Sequence, residues 1–427
     1  MMKKNSILFA LLLSTTITMA QVKVNTELKS LITQSFSYFP KVKEVENTVR
    51  LAQDKIELTQ LNKLPDVTGD ASYNFVEPKI VVPLGGTDFQ FAPVHNISGA
   101  VNASYSLFDF GRLKANIERT KDDLAYAKHN VENVKSQLAF QVATVYYNIV
   151  YLQKAIIIQN DVLHFLNENK QIVESKLKNG DALKIDLLNI QSNMDAEENR
   201  KVDLQNLLQK QLNLLAYTTG LKESKGTDFD FEIALSDAAT GLSTAEALNV
   251  DFLLAKDKIK QAQSDLNITK LNDKPFIGLH AGAGLKNGYV PDVSTVKFNY
   301  AAGVSFSVPI YTGGKTKQQI KLQENMVKQN ELATQSLSSN YKKDIDQALT
   351  DVKTNYERIG NTVGQIEDAK YAQQLAASRF KNGVGTNLEL TNASTNVQRA
   401  ELTKLQYEFQ LCLAKLEYAK LIGVQYW

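Results

Sequence analysis

The chain is written twice, and that duplication limits what it can fold into more than any other feature. Ala52-Gln53, Thr59, Leu61, Asn62 and Pro65 recur as Ala262-Gln263, Thr269, Leu271, Asn272 and Pro275, always 210 positions later. Gly111-Arg112 answers Gly314-Lys315, Ser175 to Gly180 answers Ser378 to Gly383, and Gly220 answers Gly423, all 203 positions later. The change of offset places one length difference in a single loop between Pro65 and Ser106. Each half therefore has one order: a helix, two strands joined by a loop, a very long helix, a tight turn and a returning helix.

Leu113 to Leu177 contains neither proline nor glycine over 65 residues. As one helix it would reach about 100 Å. Ile117, Leu124, Val131, Leu138, Val145 and Leu152 recur every seven positions, and Val142, Ile149, Ile156 and Leu163 form a second line. Two seams require neighbours on more than one side. In the second half Ile345, Val352, Ile359 and Ile366 run beside Leu349, Tyr356 and Val363, with Gly360 and Gly364 interrupting the pattern. Those glycines predict either a bend or a close approach.

The strands alternate with a period of two. Ile97, Val101, Tyr105 and Leu107 oppose Asn96, Ser98, Asn102, Ser104 and Ser106. Phe298, Tyr300, Val304 and Phe306 oppose Lys297, Asn299, Gly303, Ser305 and Ser307. Val67, Ala71, Tyr73 and Phe75, and Ile277, Leu279, Ala281 and Leu285, give two weaker partners. Glu77 to Val94, with three prolines and Gly85-Gly86, and Lys286 to Ser294, with Asn287-Gly288, read as loops. The expected strands cover about 65–82, 94–110, 275–288 and 295–311, the long helices 113–177 and 315–381, and the return helices 181–219 and 386–422. Repeat 1 spans 21–220, a linker 221–243, and repeat 2 244–427.

Residues 1–20 carry Lys3-Lys4, the apolar run Ile7 to Leu13 and Thr18-Met19-Ala20 before Gln21, the pattern of a secretory signal peptide. Seven apolar residues fall far short of a membrane-spanning helix, which needs about 20. With Gln21 at the cut, lipid attachment through a first cysteine is not expected. Loss of Lys3 and Lys4 leaves basic residues equal to the 46 acidic ones, so a nucleic-acid role has no electrostatic support. Cys412 is alone and forms no internal disulfide.

A strand with one apolar and one small-polar face suits a wall between lipid and water. Four strands cannot close such a wall, since membrane barrels use about eight or more. Unpaired backbone groups are not tolerated in hydrocarbon, so other copies of the chain must cover the open edges.

Leu107-Phe108-Asp109-Phe110-Gly111-Arg112 and Pro309-Ile310-Tyr311-Thr312-Gly313-Gly314-Lys315 resemble the strand-to-helix motif of the TolC-like outer-membrane efflux proteins. Lys176-Leu177-Lys178-Asn179-Gly180 and Arg379-Phe380-Lys381-Asn382-Gly383 resemble that family's tip motif. The resemblance covers nearly the whole mature chain. It implies a mainly α protein with a membrane β-barrel portion, an internally duplicated chain whose trimer completes a twelve-stranded barrel and a coiled-coil α-barrel. It further implies residence in the outer membrane of a Gram-negative bacterium with a large periplasmic portion. The partners implied are a periplasmic adaptor and an inner-membrane transporter, with no cofactor.

The same resemblance assigns candidate residues. The periplasmic gate would draw on Asp186, Phe380, Glu389 and Asn392. Phe380 stands where tyrosine is frequent, Gly385 where some members carry an arginine, and Asn392 where a ring carboxylate is found. Glu389 would set three carboxylates around one axis in a trimer, favouring cations and resisting full ionisation. Asp186 and Glu389 also fall in the first turn of a helix, where acids are favoured in any case. Lys176, Gly180, Arg379 and Gly383 are the expected adaptor contacts, and Gly111, Arg112, Gly314 and Lys315 the strand-to-helix junctions.

Other signals lead nowhere. Gly314-Lys315-Thr316 lacks the earlier glycine of a phosphate loop, because Pro309 stands in its place. Gly282-Ala283-Gly284 lies inside a strand pattern, and the aromatic ending Tyr426-Trp427 follows a helix and reads as packing. His95, His129, His164 and His280 have no metal-ligand spacing. No nucleophile, base and metal constellation supports an enzyme. A periplasmic coiled-coil adaptor or scaffold without a pore is the rival reading, and it leaves the amphipathic strands without a purpose.

Overall fold

The computed structural model describes residues 22–427, so the expected signal peptide lies outside the described residues. In chain order the elements are α1 (Thr26–Tyr38), α2 (Pro40–Leu61), β1 (Asp66–Phe75), β2 (Val81–Leu84), β3 (Thr87–Gln90), β4 (His95–Phe108), α3 (Arg112–Asn179) and α4 (Lys184–Thr219). Then follow α5 (Ala238–Leu248), α6 (Val250–Leu271), β5 (Phe276–Lys286), β6 (Lys297–Ser307), α7 (Lys315–Lys381) and α8 (Asn387–Ile422). The duplication is exact to the residue in places. α6 begins and ends 210 positions after α2, and α8 begins and ends 203 positions after α4.

Several segments differ from the sequence expectation, β6 among them, which ends at Ser307 instead of about 311. The first strand stops at Phe75 instead of reaching about 82, and β2 and β3 form a separate two-stranded hairpin around Gly85-Gly86 inside the expected loop. The return helix starts at Lys184 and not at 181, because Gly180 and the next residues complete the turn. The expected linker 221–243 already contains the start of α5 at Ala238, with Asp237 accepting from the backbone N–H groups of Ala239 and Thr240.

Two compact units divide the chain. One contains β1 to β6, α2, α6 and the adjoining starts of α3 and α7. Its four-stranded antiparallel sheet has the order β1-β4-β5-β6. The register sets Asp66, Ser104, His280 and Gly303 in one row and Thr68, Asn102, Gly282 and Ala301 in another. Alternating with such rows run apolar ones, such as Tyr73 and Ile97, and Leu279 and Val304. One face is thus polar and small, the other apolar, and large side chains on it are exposed: Val67, Tyr73, Val101, Phe298, Tyr300 and Phe306. Asn287 ties the second loop to the first half. Its side chain accepts from the Ile97 N–H at 2.8 Å and donates to the His95 carbonyl.

Helices of this unit are joined by charge. Arg119 pairs with Asp123 and Asp265, Lys55 with Asp123, and Lys260 with the buried Asp122. Burial alone would raise the Asp123 pKa, but hydrogen bonds from Lys55 and Arg119 hold it below the usual carboxylate value. At the junctions, Asp109 accepts from the N–H groups of Gly111 and Leu113 and so caps α3. Arg112 donates to the carbonyls of Leu271, Asn272 and Lys274, closing the C-terminus of α6.

The other unit contains α1, α4, α5, α8 and the remaining parts of α3 and α7. Val142, Tyr146, Tyr147 and Ile149 of α3 are fully buried with Leu28, Ile32, Leu215, Ile345 and Leu416. The stretch before α5 is not a free tether. Lys23 and Glu232 form a β-bridge, Asn25 and Tyr147 donate to Asp230, and Lys415 reaches Glu232 at 2.8 Å. Burial alone would lower the Lys415 pKa; the bond to Glu232 carries it up. Burial pushes the Cys412 thiol well above its ordinary range, so this cysteine is packed. Among the described residues no helix is long and apolar enough to cross a membrane, and no cluster of metal-binding side chains occurs.

Candidate functional site

The turn end of the two helical hairpins, α3 with α4 and α7 with α8, collects the expected gate and contact residues. Each long helix ends on a glycine in the left-handed region, Gly180 at φ 84° and Gly383 at φ 79°. The N–H of Asp181 bonds the carbonyl of Lys176, and that of Val384 bonds Arg379, the six-residue closure typical of glycine-terminated helices. A side chain at either glycine would meet open space, so backbone conformation is the reason for glycine there. Gly385 differs. A Cβ on it would come within 2.9 Å of the Arg379 side chain, so the arginine some relatives are expected to carry here has no room without a shift.

Phe380 is buried against Val173, Ile190 and Leu390, with Ala376, Ala377 and Met194 packed around this cluster. Its ring lies under the Lys176 ammonium at 4.6 Å, and that ammonium donates to the Phe380 carbonyl. Lys176 and Phe380, from opposite hairpins, are thus brought together, with a cation–π contact between them. A hydroxyl here would need a partner inside an apolar cluster, which explains why phenylalanine is suited to the position.

Asp186 does not reach any other candidate gate residue through a described bond. Its carboxylate accepts from the Leu183 N–H at 3.1 Å and serves its own helix start. Glu389 lies 3.8 Å from the Arg379 guanidinium, both half exposed, while Thr386 caps α8 by accepting from the Glu389 N–H. Arg379 also donates to the Val384 carbonyl. Asn392 is exposed on α8. At the junctions Gly111 and Gly314 both have positive φ, but only Arg112 has the helix-closing bonds; Lys315 is exposed.

Sequence reasoning missed a buried polar layer. Gln398 donates to Gln159 at 3.1 Å and to the Glu197 carboxylate at 2.9 Å; Gln159 donates to the same carboxylate at 2.8 Å. Arg200 pairs with its other oxygen. One layer thereby ties α3, α4 and α8. Nearer the turns Asn169 donates to Asn387, leaving the buried Asn169 Oδ1 and Thr391 Oγ1 without partners. The signal was present: Gln159 continues the line from Ile117 to Leu152 by one further heptad. A polar residue on such a line fixes register at some cost in stability.

A family model described as outer membrane efflux protein matches residues 31–221 and 241–424. The outer membrane efflux protein BepC of Brucella suis biovar 1 is 20% identical over 96% of this chain and 88% of its own length. The outer membrane protein TolC of Escherichia coli K12 is 23% identical over 89% of this chain and 83% of its own. Among solved structures, CusC superimposes with a TM-score of 0.79 at 17% identity, covering 94% of this chain and 93% of that one.

Proposed function

Because the chain belongs to the outer membrane efflux protein family, we propose that its export channel is a ring of three copies. The ring is an exit duct for a tripartite efflux pump or a type I secretion system. One observation carries the reading: a sheet with one polar and one apolar face ends on both sides in strands with an unpaired outer edge. Neither edge can stay open in lipid, so copies must complete each other. The apolar face meets hydrocarbon and the polar face lines the bore. A soluble scaffold would expose that apolar face to water without reason.

The turn end of the hairpins is the periplasmic gate and the docking surface for an adaptor, which couples it to an inner-membrane pump. Lys176, Gly180, Arg379 and Gly383 sit on or beside the two turns that an adaptor would meet. Glu389, partly neutralised by Arg379, supplies the carboxylate ring; Asp186, committed to its own helix, supports the turn. No catalytic role is part of this reading.

Fractionation and reconstitution test it. A heat-modifiable trimer in outer-membrane detergent extracts that passes current across a planar lipid film is the expected result; a buffer-soluble monomer without conductance removes the proposal. Cysteines at positions 176 and 379 that never capture a periplasmic adaptor would count against the docking surface. Export profiling of a deletion strain, for drugs, metal ions and secreted proteins, identifies the cargo.

A further inference from the structure

Arg112 closes the end of α6 within the chain, yet its repeat counterpart Lys315, 203 positions later, has no such partner here. The counterpart of that helix end, 210 positions earlier, is the end of α2. The two ends have the same local turn: Asn62 N–H to Thr59 and Leu64 N–H to Leu61, matched by Asn272 to Thr269 and Lys274 to Leu271. The α2 carbonyls of Leu61, Asn62 and Leu64 are therefore arranged as the set Arg112 closes, with no basic side chain described against them.

The sheet repeats the situation. β4 of the first half pairs with β5 of the second, Ala100 opposite Gly284, Asn102 opposite Gly282 and Ser104 opposite His280. β6 and β1, the repeat counterparts of β4 and β5, are the unpaired edges. Moving the internal register by the two sequence offsets sets Gly303 opposite Asn74, Ser305 opposite Ser72 and Ser307 opposite Asp70 of another copy. Val304 then falls opposite Tyr73, and Phe306 opposite Ala71. Polar residues meet polar ones and apolar meet apolar, whereas a slip by one residue would reverse every face. Leu51, Leu58 and Leu61 of α2, and Leu322, Met326 and Leu332 of α7, are exposed apolar side chains on the helices this arrangement brings together.

We propose that Lys315 is a clamp across the subunit boundary, its ammonium donating to the Leu61, Asn62 and Leu64 carbonyls of a second copy whose β1 pairs with β6 in this register. An ammonium offers three donors and complements the negative end of a helix, as the guanidinium of Arg112 does internally. The inference rests on the ring of copies proposed above and adds its residue-level register.

Disulfide trapping tests it on the full chain carrying Cys412→Ala. Ser72→Cys with Ser305→Cys brings Cβ atoms to about 4.5–5.5 Å in this register and should give covalent multimers on mild oxidation. Asn74→Cys with Ser305→Cys, two residues out, should give at least tenfold less. Val304→Cys with Tyr73→Cys checks the opposite face and should also trap. Lys315→Gln should lower the multimer fraction in mild detergent at least threefold without changing the helix content, and Lys315→Arg should restore it. Multimers that trap better at the shifted pair, or that are indifferent to both Lys315 substitutions, overturn the clamp while leaving the ring intact. A chain that is monomeric in every variant and in the parent overturns both.

Discussion

The two long helices are repeats of one another and differ most in what surrounds them. On α3 both heptad lines are covered: Leu138, Val145 and Leu152 on one, Val142 and Ile149 on the other, are buried. On α7 only the first line is, through Ile345 and Val352, while Tyr356 and Val363 of the second are 51% and 44% exposed. Related sequences of nearly equal length thus serve as an internal strut and as a half-finished surface. Gly360 and Gly364 lie on the unfinished side, where a Cβ on either would meet nothing, and α7 continues through both without a break. The difference shows that apolar periodicity along a helix can exceed the neighbours it meets within one protomer; the proposed ring would supply the rest.

The comparison can be broken most sharply by truncation. Ile149→Ala should cost about 2–5 kcal/mol in denaturant unfolding, as expected for a buried isoleucine, while Val363→Ala should stay within about 0.5 kcal/mol in dissociated protein. Equal costs in both would show that the two helices are equally enclosed. Next in size, Gly360→Ala and Gly364→Ala should each stabilise the isolated protomer by about 1 kcal/mol through helix propensity. A drop in the thermal stability of the multimer with the same substitutions would locate a neighbouring helix at that face.

A smaller effect follows from charge on the strut. Asp123 titrates below its ordinary value of 3.8 in the folded state, so its contribution is complete above that value and is lost as pH falls through the depressed folded pKa. Melting temperature followed by circular dichroism should decline below about pH 4, and Asp123→Asn should flatten that decline. The smallest expected signal is chemical. The buried Cys412 thiol, whose pKa is raised by desolvation, should react with a maleimide at pH 8 at least tenfold more slowly than in denaturant. Fast labelling would show that the return helix of the second half opens readily.

Much of the architecture was legible because it is local or repeated. Heptad spacing identified both long helices, strict alternation identified the two faces of the sheet, and the turn glycines marked where the long helices end. The β2–β3 hairpin was not legible, since prolines and glycines predict a loop and only the pairing of Val81 with Gln90 makes it a sheet. The candidate site was less readable. Phe380 and Asp186 lie at the turn end, but their partners come from across the hairpins or from their own helix start, and spacing is silent on both. The Gln159, Glu197 and Gln398 layer went unseen because periodicity was read for apolar residues alone, and a glutamine in the seam looks like a missing match.

Among the described residues the β2–β3 hairpin is the one element that the ancestral copying event left without a twin. The other described helices and strands recur at one of the two offsets, so a ring of copies would have nearly twice as many like-shaped staves as chains. Its outer rim would not. Lobes with and without the hairpin would alternate there, so the rim would repeat once per chain, at half the rotational order of the staves. A threefold visitor could seat on that crown in a single way, while the wall beneath it stays close to sixfold.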